Sequence, residues 1–90
     1  MLREEDVSRV VIAVIASQMN IERSEVEMGQ DLCMDLGIDS LDKTEILAEI
    51  EDKLSVDIPY ECGYSFREVG QIVDYVFDYI VHNNRSSVPA

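Results

Sequence analysis

Ninety residues allow one domain around a single modest core, since a chain of this length hides roughly 60–65 % of its unfolded surface. Nineteen Asp and Glu against seven Lys and Arg leave a net charge of −12, beyond the magnitude of about 2–8 usual for a small soluble domain. That field repels phosphate backbones and anionic lipid, which excludes nucleic acid as a natural partner, and it draws in basic protein surfaces.

A hydrophobic content of 47 %, dense in Val, Ile and Leu, separates the chain from disordered acidic segments and predicts a packed fold. The start, MLREEDVSRV, is acidic, and the apolar run Val10–Ala16 is too short to span a bilayer. A cytoplasmic protein without stable membrane insertion is the expectation. Cys33 and Cys62 have no C-x-x-C partner, neighbouring His or disulfide framework, so both are read as reduced thiols and no metal site is expected.

In chain order, Val7, Val10, Val11, Val14 and Ile15 recur at three- and four-residue steps behind Glu4, Glu5 and Asp6. This predicts a helix from about Glu4 to Met19, ending at Asn20. The stretch from Asn20 to Asp39 holds Gly29 and Gly37 and lacks a sustained period, so it reads as a long loop. Ser24 and Glu27 have capping-box spacing for one turn, and Ile21, Val26, Leu32 and Leu36 would pin the loop to the core.

From Ser40 or Leu41 to Leu54, the residues Ile46, Leu47, Ile50 and Leu54 form an apolar stripe among many acids, an amphipathic second helix. Val56, Ile58 and Pro59 follow as an extended exit. Tyr60 to Ser65 can hold one short turn of helix, and Ser65 and Glu68 have capping-box spacing ahead of Val69, Ile72, Val73, Val76, Phe77 and Ile80. These mark a last helix to about His82. The expected organisation is one domain over residues 1–82 with a frayed tail over 83–90, and the expected fold is an all-α, small four-helix bundle with three long helices and one short.

Chemistry is sparse. The single histidine, His82, lies at a helix end, and G-x-S-x-G is absent, so a serine hydrolase is excluded. Carboxylate pairs abound, but at this density no pair stands out from a solvated acidic face. Counting a calcium loop from Asp31 or Asp35 puts Leu36 or Ser40 where glycine is required, and Asp42 or Ile46 where the bidentate Glu belongs. No phosphate-cradling glycine loop exists, because Gly37 stands alone. What remains is Ser40, one hydroxyl where a loop becomes an acidic helix. Alone, it or Asp39 reads as an ordinary helix cap.

The surrounding residues add a resemblance. DLGIDSL, Asp35 to Leu41, resembles the modification motif D-L-G-x-D-S-L of the acyl carrier protein family, in which the serine bears 4'-phosphopantetheine. TEILAEIEDKLSVDIP, Thr44 to Pro59, is similar to that family's acidic second helix with its Ile-Pro exit, and FREVGQIVDYV, Phe66 to Val76, to its last helix.

The resemblance implies a carrier without catalysis of its own. Ser40 would receive the arm from coenzyme A through a phosphopantetheinyl transferase, and the thiol of the arm would hold an acyl intermediate of fatty acid, polyketide or related biosynthesis. It also implies a docking surface at Asp35, Asp39, Leu41, Asp42, Thr44, Glu45, Ala48, Glu51 and Asp52 for basic patches on acyl-loading and ketosynthase-type enzymes. A discrete carrier is expected from Met1, the single domain and the short tail, and a monomer is the expected state.

The physical reading agrees with the resemblance: a helix N-terminus favours phosphate, and Gly37 can supply a sharp entry. Met34, Lys43 and YECGYS, Tyr60 to Ser65, depart from the family pattern and would retune partner choice or the third helical segment. The competing class is an unmodified acidic adaptor that binds basic partners, with Ser40 serving only as a cap.

Overall fold

Acidic residues at the dipole-favoured end open α1 (Glu4–Met19), and the Asp6 carboxylate accepts from the Arg3 N–H at 2.9 Å. Val7, Val11, Val14 and Ile15 fall on one face and are buried. Asn20 stops the helix in the left-handed region at φ 57°, where asparagine is several-fold enriched over most residues. The computed structural model describes residues 2–86, with side chains through Asn83.

The loop over residues 20–39 contains one 3-10 turn, Arg23–Glu25. Its closing contact is the Glu25 carboxylate accepting from the Glu22 N–H at 2.8 Å, not the expected Ser24–Glu27 box. The Glu27 N–H is taken instead by Gln30 Oε1 at 2.8 Å. Long Glu and Gln side chains reach back three residues as well as a serine box would, and here they do so first.

Val26 and Leu32 anchor the loop in the core as expected, joined by Ile38, while Ile21 and Leu36 are half-buried. Backbone bonds complete the anchorage: Leu32 N–H to Arg67 O at 2.8 Å, Val69 N–H to Gln30 O at 3.2 Å and Gly70 N–H to Met28 O at 2.9 Å. Long loops without elements of their own are uncommon in small domains. This one is stitched to the start of the last helix.

The amphipathic second helix, α2 (Ser40–Leu54), buries Ile46, Leu47 and Ile50, with Leu54 half-buried. The extended exit buries Val56 and Ile58 and leads through Pro59 into α3 (Tyr60–Ser65), the short turn expected. The last helix, α4 (Val69–Ser86), buries Val69, Ile72, Val73 and Val76.

The start of α4 differs from expectation in chemistry. Gln71 Oε1 accepts from the N–H groups of Arg67 at 2.6 Å and Glu68 at 3.1 Å, while the Ser65 hydroxyl donates to Cys62 O at 2.8 Å. Ser65 thus terminates α3 instead of capping α4. The far end of α4 also runs past His82 to Ser86: no glycine or proline stands between Asn83 and Ser86, and the Asn83 amide donates to Tyr79 O at 2.9 Å. The frayed tail expected from residue 83 therefore begins as helix, and residues 87–90 lie outside the described residues.

α1 packs against both α2 and α4, and α3 lies on α2. No polar or charged side chain among the described residues is buried. The described residues form no strand, only an isolated bridge between Asp31 and Glu68. The all-α bundle of three long helices and one short is the observed fold.

Candidate functional site

Asp35 starts the turn that delivers Ser40. Its carboxylate accepts from the Asp31 N–H at 2.7 Å, and Gly37 follows at φ 70°, a conformation glycine adopts without the Cβ penalty. Ile38 then buries its side chain and returns its N–H to Leu32 O at 2.9 Å. The chain reaches α2 with Asp39 as its N-cap: Asp39 Oδ1 accepts from the Asp42 N–H at 2.8 Å, and Asp42 Oδ2 accepts from the Asp39 N–H at 3.3 Å. This reciprocal pair satisfies two of the amides that a helix start leaves open.

The ambiguity between Asp39 and Ser40 as cap is thereby resolved. Asp39 caps, and Ser40 is the first helical residue. The Ser40 side chain is exposed, and among the described residues its hydroxyl has no hydrogen-bond partner; only its carbonyl is used, by the Thr44 hydroxyl at 2.9 Å. The N–H groups of Ser40 and Leu41 also lack an acceptor among the described residues. A hydroxyl and two amides are therefore presented together at the positive end of α2.

Beside Ser40 lies a cleft of about 670 Å³ between the loop, α2 and α3. Leu32, Ile38, Leu47, Ile58 and Phe66 contribute its apolar walls, and Met34, Lys43, Tyr60 and Tyr64 also line it. Met34 is 83 % exposed, Leu41 66 %, Tyr60 76 % and Tyr64 72 %, an unusual density of apolar surface around one hydroxyl in so acidic a chain. Tyr60 and Tyr64 stack, with ring centroids 6.1 Å apart.

Most of the acids singled out in the sequence are gathered on α2 or at its cap, with Asp35 in the preceding turn. Leu41, Glu45, Ala48 and Asp52 are exposed and follow one face at steps of four, three and four. Several members of the set also hold the fold. Gln18 on α1 donates to Glu45 Oε1 at 2.7 Å and Asp42 Oδ1 at 3.4 Å, and the half-buried Glu51 accepts from the Ile58 N–H at 2.8 Å.

Lys43 is not an open positive charge near Ser40. Its ammonium donates to the carbonyls of Tyr64 at 3.1 Å and Phe66 at 2.5 Å. Burial lowers its pKa, opposed by attraction to Asp31. Sequence reading missed this role, as it missed Gly63, the buried residue of α3. A glycine inside a helical turn is the available signal of a close approach.

Other chemistry is accounted for. Cys33 is exposed and Cys62 half-buried, both free thiols. The His82 ring nitrogen bonds on its own helix, 2.8 Å from Asp78 O. Among the described residues, no cluster of three or more His, Cys, Asp or Glu could hold a metal, and no helix is long and apolar enough to cross a membrane.

Residues 9–76 match the family model for the phosphopantetheine attachment site. Similar curated proteins include an acyl carrier protein of Helicobacter pylori (strain G27), 39 % identical over 66 residues that cover 73 % of this chain and 85 % of that protein. Another, from Helicobacter acinonychis (strain Sheeba), is 36 % identical over the same shares. A third, from Clostridium perfringens (strain SM101 / Type A), is 33 % identical over 73 % of this chain and 87 % of its own length. Proteins of this kind are carriers rather than catalysts, and they interact with synthases and with the transferase that supplies the arm. The chain belongs to the acyl carrier protein family, whose prosthetic group is 4'-phosphopantetheine.

Proposed function

We propose that Ser40 is the attachment point of the 4'-phosphopantetheine arm and that the protein is a carrier of acyl thioesters for fatty acid, polyketide or related lipid and secondary-metabolite biosynthesis. The observation that carries the reading is that the Ser40 hydroxyl is exposed and spare while Asp39 does the capping. An adaptor without an arm gives that hydroxyl no task.

The residues present suit the group. The open N–H groups of Ser40 and Leu41, at the positive end of α2, favour the phosphodiester that forms when the serine oxygen displaces the nucleotide portion of coenzyme A. No base is needed on this chain, because a transferase supplies its own. When bound, the arm supplies the thiol that holds the acyl group, and the apolar cleft next to Ser40 is positioned to shield that cargo.

Leu41, Glu45, Ala48 and Asp52 form the centre of the docking surface for basic patches on the transferase and the acyl-loading and ketosynthase-type enzymes. Asp35, Asp39, Asp42, Thr44 and Glu51 flank it and keep their internal bonds. With a net charge of −12, encounters are steered and salt-sensitive, which suits a shuttle that must leave as readily as it arrives. The test is intact mass after incubation of the folded apo chain with coenzyme A and a broad-specificity phosphopantetheinyl transferase. Wild type is expected to gain one phosphopantetheine unit and Ser40→Ala none; no gain by wild type with several transferases would favour the acidic adaptor.

A further inference from the structure

The short helix α3 brings little apolar surface of its own. Tyr60, Glu61, Tyr64 and Ser65 are exposed, Cys62 is half-buried, and only Gly63 is buried. Yet this segment walls the cleft beside Ser40, so something must hold it there.

Three side chains of α2 do so, at positions i, i+4 and i+8, where residues share a helix face. Lys43 donates to Tyr64 O and Phe66 O at the C-terminal end of α3. Leu47 covers Gly63 in the middle so closely that a Cβ on Gly63 would lie 2.6 Å from Leu47 Cδ1. Glu51 accepts from the Ile58 N–H at 2.8 Å, just ahead of the N-terminal end.

The two outer contacts are charge-assisted hydrogen bonds from ionic side chains to backbone groups, about twice as strong as neutral ones. The carbonyls that Lys43 takes stand at the end of a helix too short to use them. The Lys43 ammonium is drawn into this position despite the desolvation that lowers its pKa.

We propose that Lys43 and Glu51 are positioning residues that latch α3 onto α2 as a lid, and that the two contacts set how often the cleft opens. Each is polar and at the edge of the core, so each can break without disturbing the apolar packing of α1 against α2 and α4. Segments with few apolar contacts open locally at lower free energy than the core. The consequence for cargo, that the latch governs when an acyl chain can enter or leave, rests on the proposed attachment at Ser40; the latch itself does not.

The test is hydrogen exchange on the apo chain, which needs no arm, so failure of the latch and failure of the carrier reading are separate results. Lys43→Met and Glu51→Met are each expected to raise exchange of the amides in 58–66 about tenfold, with the amides of α1 and the first turns of α4 within twofold of wild type. Lys43→Arg and Glu51→Gln, which keep a donor and an acceptor, are expected to stay within about threefold of wild type in 58–66, because the hydrogen bond and not the residue's bulk forms the latch. Unchanged exchange in 58–66 for both Met variants would overturn the proposal. So would a rise shared equally by α1 and α4, which would make the segment part of the global fold, or Arg and Gln variants as open as the Met ones.

Discussion

The two sides of α2 are built differently. Towards α1 and α4 the protein packs Val7, Val11, Ile15, Ile46, Ile50, Ile72 and Val76 with no more than 1 % of any of them exposed, and the polar contacts from Gln18 to Glu45 and Asp42 lie beside this apolar layer. Towards α3 it leaves a cleft of about 670 Å³, bridged by a lysine and a glutamate and rimmed by exposed Met34, Tyr60 and Tyr64. Aliphatic packing gives one rigid arrangement and stability, whereas polar contacts around a cleft give a surface that can open. The serine proposed to carry cargo sits at the head of the same helix, on the cleft side.

Substitutions should separate the two sides. Ile15→Ala, in the fully buried core of α1, is expected to cost about 2–5 kcal/mol and to lower the whole melting transition, checked by urea and thermal unfolding. A cost below about 1 kcal/mol would mean that the scaffold side relaxes as readily as the cleft side. Gly63→Val places side-chain atoms against Leu47 and is expected to cost about 1–3 kcal/mol. Leu47→Ala in the same chain should recover part of that loss, because it removes the clashing atoms.

A smaller effect is expected at the head of α2. Asp39→Ala removes the acceptor for the Asp42 N–H and should cost about 0.5–2 kcal/mol, whereas Ser40→Ala should change stability by less than about 0.5 kcal/mol.

The smallest effect falls on the seam between the sides. Tyr75 meets Phe66 edge to face at 5.6 Å. Burial pushes the Tyr75 phenol up, reinforced by the neighbouring Cys62 thiol. A folded-state value above the ordinary one of about 10 means that this contribution is fully present below that pH and is lost as pH rises through the folded value. Wild type should therefore lose stability in alkali more steeply than Tyr75→Phe, measured by melting between pH 8 and 11.

What could be read in advance follows the same division. The scaffold was legible because Val7, Val11, Val14 and Val69, Ile72, Val73, Val76 repeat at helical spacing, and burial of one face is what that period means. Ser40 was legible by elimination and by the resemblance of DLGIDSL. The cleft was not. Lys43 reaches carbonyls 21 and 23 residues away, and no local period encodes such a bond. The actual caps escaped for a related reason: Gln71 and Glu25 perform what a serine box suggested for Ser65 and Ser24, and local spacing does not rank competing side chains. The expected end of α4 at His82 falls four residues short of the observed Ser86, because the apolar period stops there while the helical backbone continues through polar residues.

The central claim is a division of labour between neighbours, Asp39 capping the helix and Ser40 free to be modified. The most direct measurement pairs thermal unfolding with intact mass after transferase treatment for Asp39→Ala and Ser40→Ala. The account predicts that Ser40→Ala melts like wild type and takes no arm, while Asp39→Ala melts lower and still gains one phosphopantetheine unit at the end of the reaction. A Ser40→Ala chain that melts as low as Asp39→Ala, or that still gains the arm, would contradict it.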